Sequence, residues 1–289
     1  MESARCKAFL AAVEAGSFSK AAEVLNYTPS GVSQLVNALE NELGFSLLRR
    51  NKKGVIPTEN GEKMLPAVRE FLLQENRIYQ LAAEMNGRLI GSITIAAYSS
   101  IATHWLPSVI RAFQEDYPQI QIKLMEGIRQ KVTKWLDEKI ADVAFLSYKD
   151  PMPYDWIPLA EDQMLAVLPK THPLAKEASY PLQNCEYERF IMPALGRDVD
   201  VVALLQENNV KPNIQFSTLE NFAAMAMIEQ GLGMSIMNEL ITRKWQCDVA
   251  KLPLTPPQQI TLGIALPALE NASPTVKRFV KYAVDRLTC

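Results

Sequence analysis

LNYTPSGVSQLVNALENELG, Leu25 to Gly44, reads as a turn feeding a single helix whose outer side is short of charge and bulk. Pro29 suits a first helical turn, Thr28 can accept a hydrogen bond from the unsatisfied N–H groups there, and Gly44 can take the left-handed conformation that ends a helix. The spacing predicts a helix over Pro29 to Leu43. Along it Val32, Leu35, Val36, Leu39 and Leu43 recur three and four residues apart and make one apolar stripe. Ser30, Gly31, Ser33, Gln34 and Asn37 fall on the opposite side, which carries no acid before Glu40. Gln and Asn can bond adenine edges in pairs and Ser can reach bases or phosphates, so this side suits entry into a nucleic-acid groove. It equally suits the wet side of an ordinary amphipathic helix, and the flanking sequence weighs between the two.

Upstream, Cys6 to Ala15 carries Phe9, Leu10 and Val13 at helical spacing and Gly16 ends it. Ser17 or Ser19 can cap a second short helix up to Leu25, with Ala21, Ala22 and Leu25 facing inward. Two short helices leading tightly into a third are the arrangement of a helix-turn-helix, whose third helix lies in the major groove. Downstream, FSLLRRNKKGVIPT gives two short strand-like pieces around Asn51-Lys52-Lys53-Gly54, a basic hairpin suited to lie along phosphates.

The charge distribution agrees with that placement. The 289 residues carry a formal net charge of −2, yet residues 1–57 hold 7 Lys and Arg against 5 Asp and Glu. Arg49, Arg50, Lys52 and Lys53 concentrate positive charge on the hairpin of an otherwise acidic chain. Hydrophobic and charged contents of 48% and 21% are those of a soluble globular protein. Without a long apolar run or an apolar signal core, neither membrane spanning nor export is expected. Cys6, Cys185, Cys247 and Cys289 are scattered without metal-ligand or disulfide spacing, as in a reduced cytoplasmic protein.

Thr58 to Asn86 reads as one long helix, capped by Thr58, with Glu59 and Glu62 at its positive end and Gly87 and Gly91 after it. Met64, Val68, Phe71, Glu75, Ile78, Ala82 and Met85 alternate at four and three, the spacing of a coiled-coil seam, which argues for dimerisation; packing on its own domain is the alternative. Pro66 is out of place inside it and predicts a kink near Glu62 or a later start.

From Gly91 the pattern alternates strands and helices. Ser92 to Ala97, Ile120 to Met125 and Asp142 to Leu146 read as strands, and Ile101 to Asp116 and Lys131 to Lys139 as helices. This βαβαβ order predicts a largely parallel sheet covered by helices. A second set follows, with strands at Met164 to Pro169, Phe190 to Pro193, Ile214 to Phe216, Met234 to Met237 and Ile260 to Leu266. Helices over Asp198 to Asn208, Leu219 to Glu229 and Pro274 to Leu287 complete it, the last returning to the first set. Ligands of such sheets bind beyond the carboxyl ends of the strands, or in the cleft between two lobes. Those ends deliver Ser99, Ser100, Thr103, Arg129 and Ser147, and from the second set Pro193 and Thr218. Ser99 and Ser100 at a helix start with Arg129 nearby predict a small organic anion as ligand; caps and a solvated Arg129 are the plain alternative, and Thr218 reads best as a cap.

Catalytic readings find little. With only His104 and His172 in the chain, neither beside a triad pattern, and no phosphate loop, His-Glu-x-x-His or Cys-x-x-Cys, neither enzyme activity nor a metal or cofactor is expected. His172, followed by Pro173, reads as a structural turn.

AFLAAVEAGSFSKAAEVLNYTPSGVSQLVNALENELGFSLLRR, followed by GVIPTENG, closely resembles the N-terminal domain of LysR-type transcriptional regulators. HWLPSVIRAFQEDYPQIQI, LPKTHPLA and IEQGLGMSIM, in that order, extend the resemblance over nearly the whole chain. Gln34 and Asn37 stand where many members carry Arg or Lys, and Gly31 where Ala is commoner. The resemblance implies an α/β chain with a winged helix-turn-helix over 1–57, a linker and dimerisation helix over 58–90, and a two-lobed periplasmic-binding-protein-like domain over 91–289. Lobe I would span about 91–161 and 267–289, and lobe II about 162–266. It implies a cytoplasmic homodimer or homotetramer whose binding to double-stranded operator DNA is modulated by a small-molecule effector held between the lobes. Ser30, Ser33, Gln34 and Asn37 would touch base edges and Thr28, Arg49, Arg50, Lys52 and Lys53 hold phosphates, with Ser19 and Pro29 completing the DNA-binding set.

Overall fold

The computed structural model describes residues 2–51, 54–243 and 246–288. They form two compact units, the first consisting mainly of the segment up to Ser92. It contains α1 (Ser3–Ala15), α2 (Phe18–Leu25), α3 (Pro29–Leu43), the strands β1 (Leu48–Asn51) and β2 (Gly54–Pro57), and α4 (Glu59–Met85). Thr28 Oγ1 accepts the Gly31 N–H at 3.1 Å, and Gly44 closes α3 in the left-handed region at φ 80°. Val32, Val36 and Leu39 are fully enclosed or nearly so, and pack with Cys6, Phe9, Ala12, Ala21, Ala22 and Leu47. Ser17 stands at the start of α2 without a side-chain cap bond.

The two wing strands are antiparallel, with Arg49 opposite Ile56 and Arg50 opposite Val55. Their attachment to the helices is specific. The Glu40 carboxylate accepts the Leu47 and Leu48 N–H groups at 2.6 and 3.0 Å, and Val55 N–H reaches Gly16 O at 2.9 Å. At Gly54, with φ 135°, a Cβ would stand 2.1 Å from Gly16 O, so no other residue can make this approach.

The long helix begins at Glu59, capped by Thr58, and continues as one element past Pro66. The later start that Pro66 could have imposed is not found, and the helix runs unbroken through Glu62. Pro66 and Glu62 are both exposed, so water can satisfy the Glu62 carbonyl that proline leaves without an N–H partner. The seam divides. Met64, Val68 and Phe71 pack on the helix-turn-helix core and Glu75 pairs with Lys7 at 2.9 Å, whereas Ile78 is 67% and Met85 85% exposed.

The second unit starts with β3 (Ser92–Ala97), α5 (Ser99–His104), α6 (Leu106–Asp116), β4 (Gln121–Glu126), α7 (Arg129–Asp137), β5 (Val143–Ser147) and β6 (Asp155–Pro169). It continues with β7 (Tyr180–Pro181), β8 (Arg189–Met192), α8 (Val199–Glu207), β9 (Asn213–Ser217), α9 (Asn221–Glu229), β10 (Ser235–Asn238), α10 (Glu239–Thr242), β11 (Val249–Thr255), β12 (Gln259–Leu266) and α11 (Pro274–Leu287). The expected helix over Ile101 to Asp116 is two helices meeting at Trp105, because Pro107 suits the first turn of a new helix better than the interior of an old one.

The sheet runs β4-β3-β5-β12-β6-β11-β7, with β10 also on β6. The expectation of a largely parallel sheet is corrected here. β3 and β5 are parallel, but β12 is antiparallel to both β5 and β6, and β6 is antiparallel to β10 and β11. β6 explains the difference: its first part pairs with β12 up to Gln163, and from Met164 it pairs with β10 and β11. Beside that handover Asp162 accepts the Leu240 N–H at 3.2 Å and the Asn238 amide. α11 packs back on the first half, with Phe279 edge-on to Phe113 at 5.3 Å. His172 is a turn residue, as read: its Nδ1 accepts the Leu174 N–H at 3.1 Å and its Nε2 lies 3.0 Å from Glu188.

Candidate nucleic-acid interface and ligand cavity

The outer side of α3 stays accessible. Ser30, Gln34 and Asn37 are exposed, Ser33 is half-buried, and Thr28 and Pro29 are exposed at the helix start. Thr28 Oγ1 is 3.1 Å from Ser30 Oγ, so the cap and the first exposed hydroxyl of α3 share hydrogen-bonding capacity. At Gly31 a Cβ would meet Thr28 Oγ1 at 3.1 Å, which makes the missing methyl a matter of room for the cap. Ser19 is exposed near the start of α2, and Arg49 and Arg50 are exposed on β1. The Arg50 guanidinium lies over the Phe18 ring, 5.8 Å from its centre, which holds the wing cation against α2 without neutralising it. Lys52 and Lys53 lie outside the described residues.

The second unit holds a cavity of about 430 Å³, within the size of small-molecule sites. Ser99, Ser100, Thr103 and Arg129 line it from the first half of the unit, and Ala194, Asp198, Asp200, Leu219 to Phe222 and Asn238 from the second. α5 places the hydroxyls. Tyr98, not a serine, occupies its N-cap position, so the alternative reading of Ser99 and Ser100 as helix caps is not what is found.

Three expected lining residues need correcting. Ser147 is fully enclosed and sits beneath the cavity: its Oγ donates to Asp200 Oδ1 at 2.9 Å and lies 3.1 Å from Tyr98 OH, while Arg129 Nη1 donates to its carbonyl at 2.7 Å. Pro193 is buried, and the turn after it brings Ala194, itself buried, and the exposed Leu195 to the cavity wall instead, both in the left-handed region at φ 50° and 53°. Thr218 joins the chain through its backbone, with N–H to Met192 O and carbonyl to Leu195 N–H, and does not cap α9. The turns at these strand ends reach the cavity, but which side chain of a turn lines it depends on local backbone angles.

The acids were missed. Asp198 caps α8 through the Asp200 and Val201 N–H groups at 3.1 Å, and burial raises its pKa. Asp200 is 7% exposed and its pKa is pushed up to about 6, first by burial, then by Asp198, against the opposing pull of Ser147, Lys149 and Arg129. Asp-x-Asp at a helix start following a strand exit was the available signal.

Residues 4–62 match the model of the bacterial regulatory helix-turn-helix proteins of the lysR family, and residues 86–288 that of the LysR substrate binding domain. The chain belongs to the LysR family of transcriptional regulators. Among its relatives is the HTH-type transcriptional regulator YvbU of Bacillus subtilis, 29% identical over 282 residues covering 96% of each chain. The fold matches that of a full-length OxyR variant from Pseudomonas aeruginosa, with TM-score 0.79, 19% identity and 100% and 98% of the two chains covered. CbnR in complex with its target DNA gives TM-score 0.68 at 21% identity over 99% of each chain. This LysR-family chain is accordingly a DNA-binding regulator with an effector-binding domain and not an enzyme. Among the described residues no helix is long and apolar enough to cross a membrane.

Proposed function

We propose that this regulator reads operator DNA with Ser30, Ser33, Gln34 and Asn37 in the major groove while Thr28, Arg49, Arg50, Lys52 and Lys53 hold phosphates, with Ser19 and Pro29 beside them. The reading is supported by the accessible, acid-free outer side of α3 above an enclosed apolar stripe, and by the binding of CbnR to its target DNA. It works in the cytoplasm as a homodimer or homotetramer, joined through the part of α4 that leaves Ile78, Tyr79 and Met85 exposed. Gln34→Ala is expected to cost about 1–3 kcal/mol and to relax preference at one base pair, whereas Arg49→Ala weakens all sequences alike and reduces the salt slope by about one unit. A gel-shift salt titration on specific and scrambled duplexes separates the two, and identical behaviour of both variants refutes the division.

The effector, in this reading, is a small organic anion bound between lobe I, about 91–161 and 267–289, and lobe II, about 162–266. The observation that carries it is the cavity that Arg129 and the Ser99, Ser100 and Thr103 hydroxyls line from one side. Lobe closure about β6 and β12 would change how subunits pack and so the spacing and bend of paired half-sites. Calorimetric titration with a panel of carboxylates is expected to give binding that Ser99→Ala and Arg129→Ala each weaken several-fold, about 1 kcal/mol for a hydrogen bond and more for the charge. Binding that neither change weakens sinks the assignment of this cavity.

A further inference from the structure

The cavity is not the uniformly cationic pocket that a simple anion would select. Arg129 and Asp200 both belong to its lining, and both are tied to one hydroxyl: Ser147 Oγ lies 3.4 Å from Arg129 Nη1 and 2.9 Å from Asp200 Oδ1. The two opposite charges are therefore only a few ångströms apart. Arg129 uses Nη1 on Ser147 and also lies against the Tyr98 hydroxyl, with further N–H groups of its fork left for a ligand, and Asp200 uses Oδ1 on Ser147. Among the described residues Asp200 Oδ2 finds no hydrogen-bond donor, and no ion pair reaches it, although Asp200 is more than nine-tenths buried.

A carboxylate this enclosed with one hydroxyl partner is costly, because burial removes its hydration and a single neutral hydrogen bond replaces little of it. A ligand carrying the carboxylate alone would bring a second negative group toward it and add to that cost. A ligand that presents a cationic amine there repays it, while its own carboxylate takes the free N–H groups of Arg129 and the Ser99 and Ser100 hydroxyls.

We propose that the effector is a compact zwitterion, an amino acid or a molecule with an amine and a carboxylate equally close, whose amine is recognised by Asp200 Oδ2. This rests on the reading of the cavity as the effector site and narrows the ligand class within it. Asp200 is then the residue that separates amino acids from the carboxylates of the same skeleton.

The test is calorimetric titration of the full-length protein at neutral pH with the common amino acids and β-alanine, each against the matching carboxylate without the amine. At least one amino acid is expected to bind about tenfold tighter than its counterpart, the size of one charged hydrogen bond. Asp200→Asn should erase that advantage, and Arg129→Ala should weaken both members of the pair. Carboxylates that bind with no gain from the amine overturn the zwitterion while leaving the organic-anion reading standing. So does an amine advantage that survives in Asp200→Asn. No binding from either half of the panel overturns both. The wild-type comparison decides by itself should Asp200→Asn fail to fold.

Discussion

Gly61→Ala is expected to destabilise the DNA-binding unit by about 3 kcal/mol, the upper range for forcing an extra methyl into a packed site, and to abolish operator binding with it. Helix propensity alone predicts the opposite sign, since Ala is better than Gly inside a helix by about 1 kcal/mol. Geometry decides against propensity. Gly61 is buried at the third position of α4, where a Cβ would stand 2.1 Å from Leu47 O and 3.1 Å from Leu47 C. That carbonyl cannot easily retreat: it accepts the Thr58 N–H at 2.9 Å, and Leu47 N–H is held by Glu40 at 2.6 Å. Thr58 completes the junction, its hydroxyl donating to Ser46 O at 2.7 Å and accepting Gly61 N–H at 3.0 Å. The end of α3, the entry to the wing and the start of α4 thus meet at one backbone group. Gly31→Ala is the control, because its Cβ would meet a single hydroxyl at 3.1 Å rather than a carbonyl. There the propensity gain should largely persist. Urea midpoints of the full-length variants check both, and a Gly61→Ala protein as stable as the parent refutes the junction argument.

The first unit was legible because its punctuation is local. Thr28-Pro29 and Gly44 bound α3 where the sequence puts it, and Pro274 to Leu287 is likewise the observed α11. Elements stabilised by distant pairing were not. β11 contains Pro253 and the first part of β6 contains Pro158, Glu161 and Asp162, so neither alternates as a strand should. Both become strands because partners far along the chain lie beside them: Thr261 opposite Glu161, and Leu165 opposite Pro253. Missing those two crossings is what made the sheet look parallel.

The cavity shows the same division. Ser99, Ser100, Thr103 and Arg129 follow strands that the pattern reveals, so their place could be read. Asp200 was harder to place, since Asp198-Val199-Asp200 after a strand exit marks a helix start but does not tell a cap from a cavity wall. The distinction arises only where Ser147, fifty-three residues earlier, donates to it. The second half of α4 is the reverse case. Its spacing announces a seam, and Ile78 and Met85 are exposed along it while Met64, Val68 and Phe71 are taken by the unit's own core. One heptad pattern therefore serves two surfaces, with the Glu75–Lys7 pair at the changeover.

Lowering the pH from 7 to 5 is expected to stabilise the second unit by about 2 kcal/mol, against the common tendency of proteins to weaken on acidification. Asp142 and Asp200 are both pushed up to about 6, in each case first by burial. For an acid raised in this way the folded state holds its proton more tightly than the unfolded chain does. The associated stability is fully present below the unfolded value near 3.8 and is lost as pH rises through about 6. Between pH 7 and 5 each group therefore returns about 1 kcal/mol, with a ceiling of about 3 kcal/mol for the whole shift. Asp162 and Asp198 are raised by burial as well and act in the same direction. The opposing carboxylates lie in the first unit. Glu75, lowered first by its bond from Lys7, and Glu70, lowered first by Gln74, lose their contribution only as pH falls below the ordinary 4.5. The interval from 7 to 5 thus lies above the range of those glutamates and spans that of the buried aspartates. Asp142→Asn keeps an acceptor for the Thr94 N–H, which Asp142 Oδ2 takes at 2.7 Å, and Asp200→Asn keeps one for Ser147. Each variant should gain stability at pH 7 and lose about 1 kcal/mol of the pH response, and the double variant should keep only the part that Asp162 and Asp198 supply. Denaturant midpoints at the two pH values measure this, and a double variant that responds to pH as the parent does would show that the strained charge lies elsewhere.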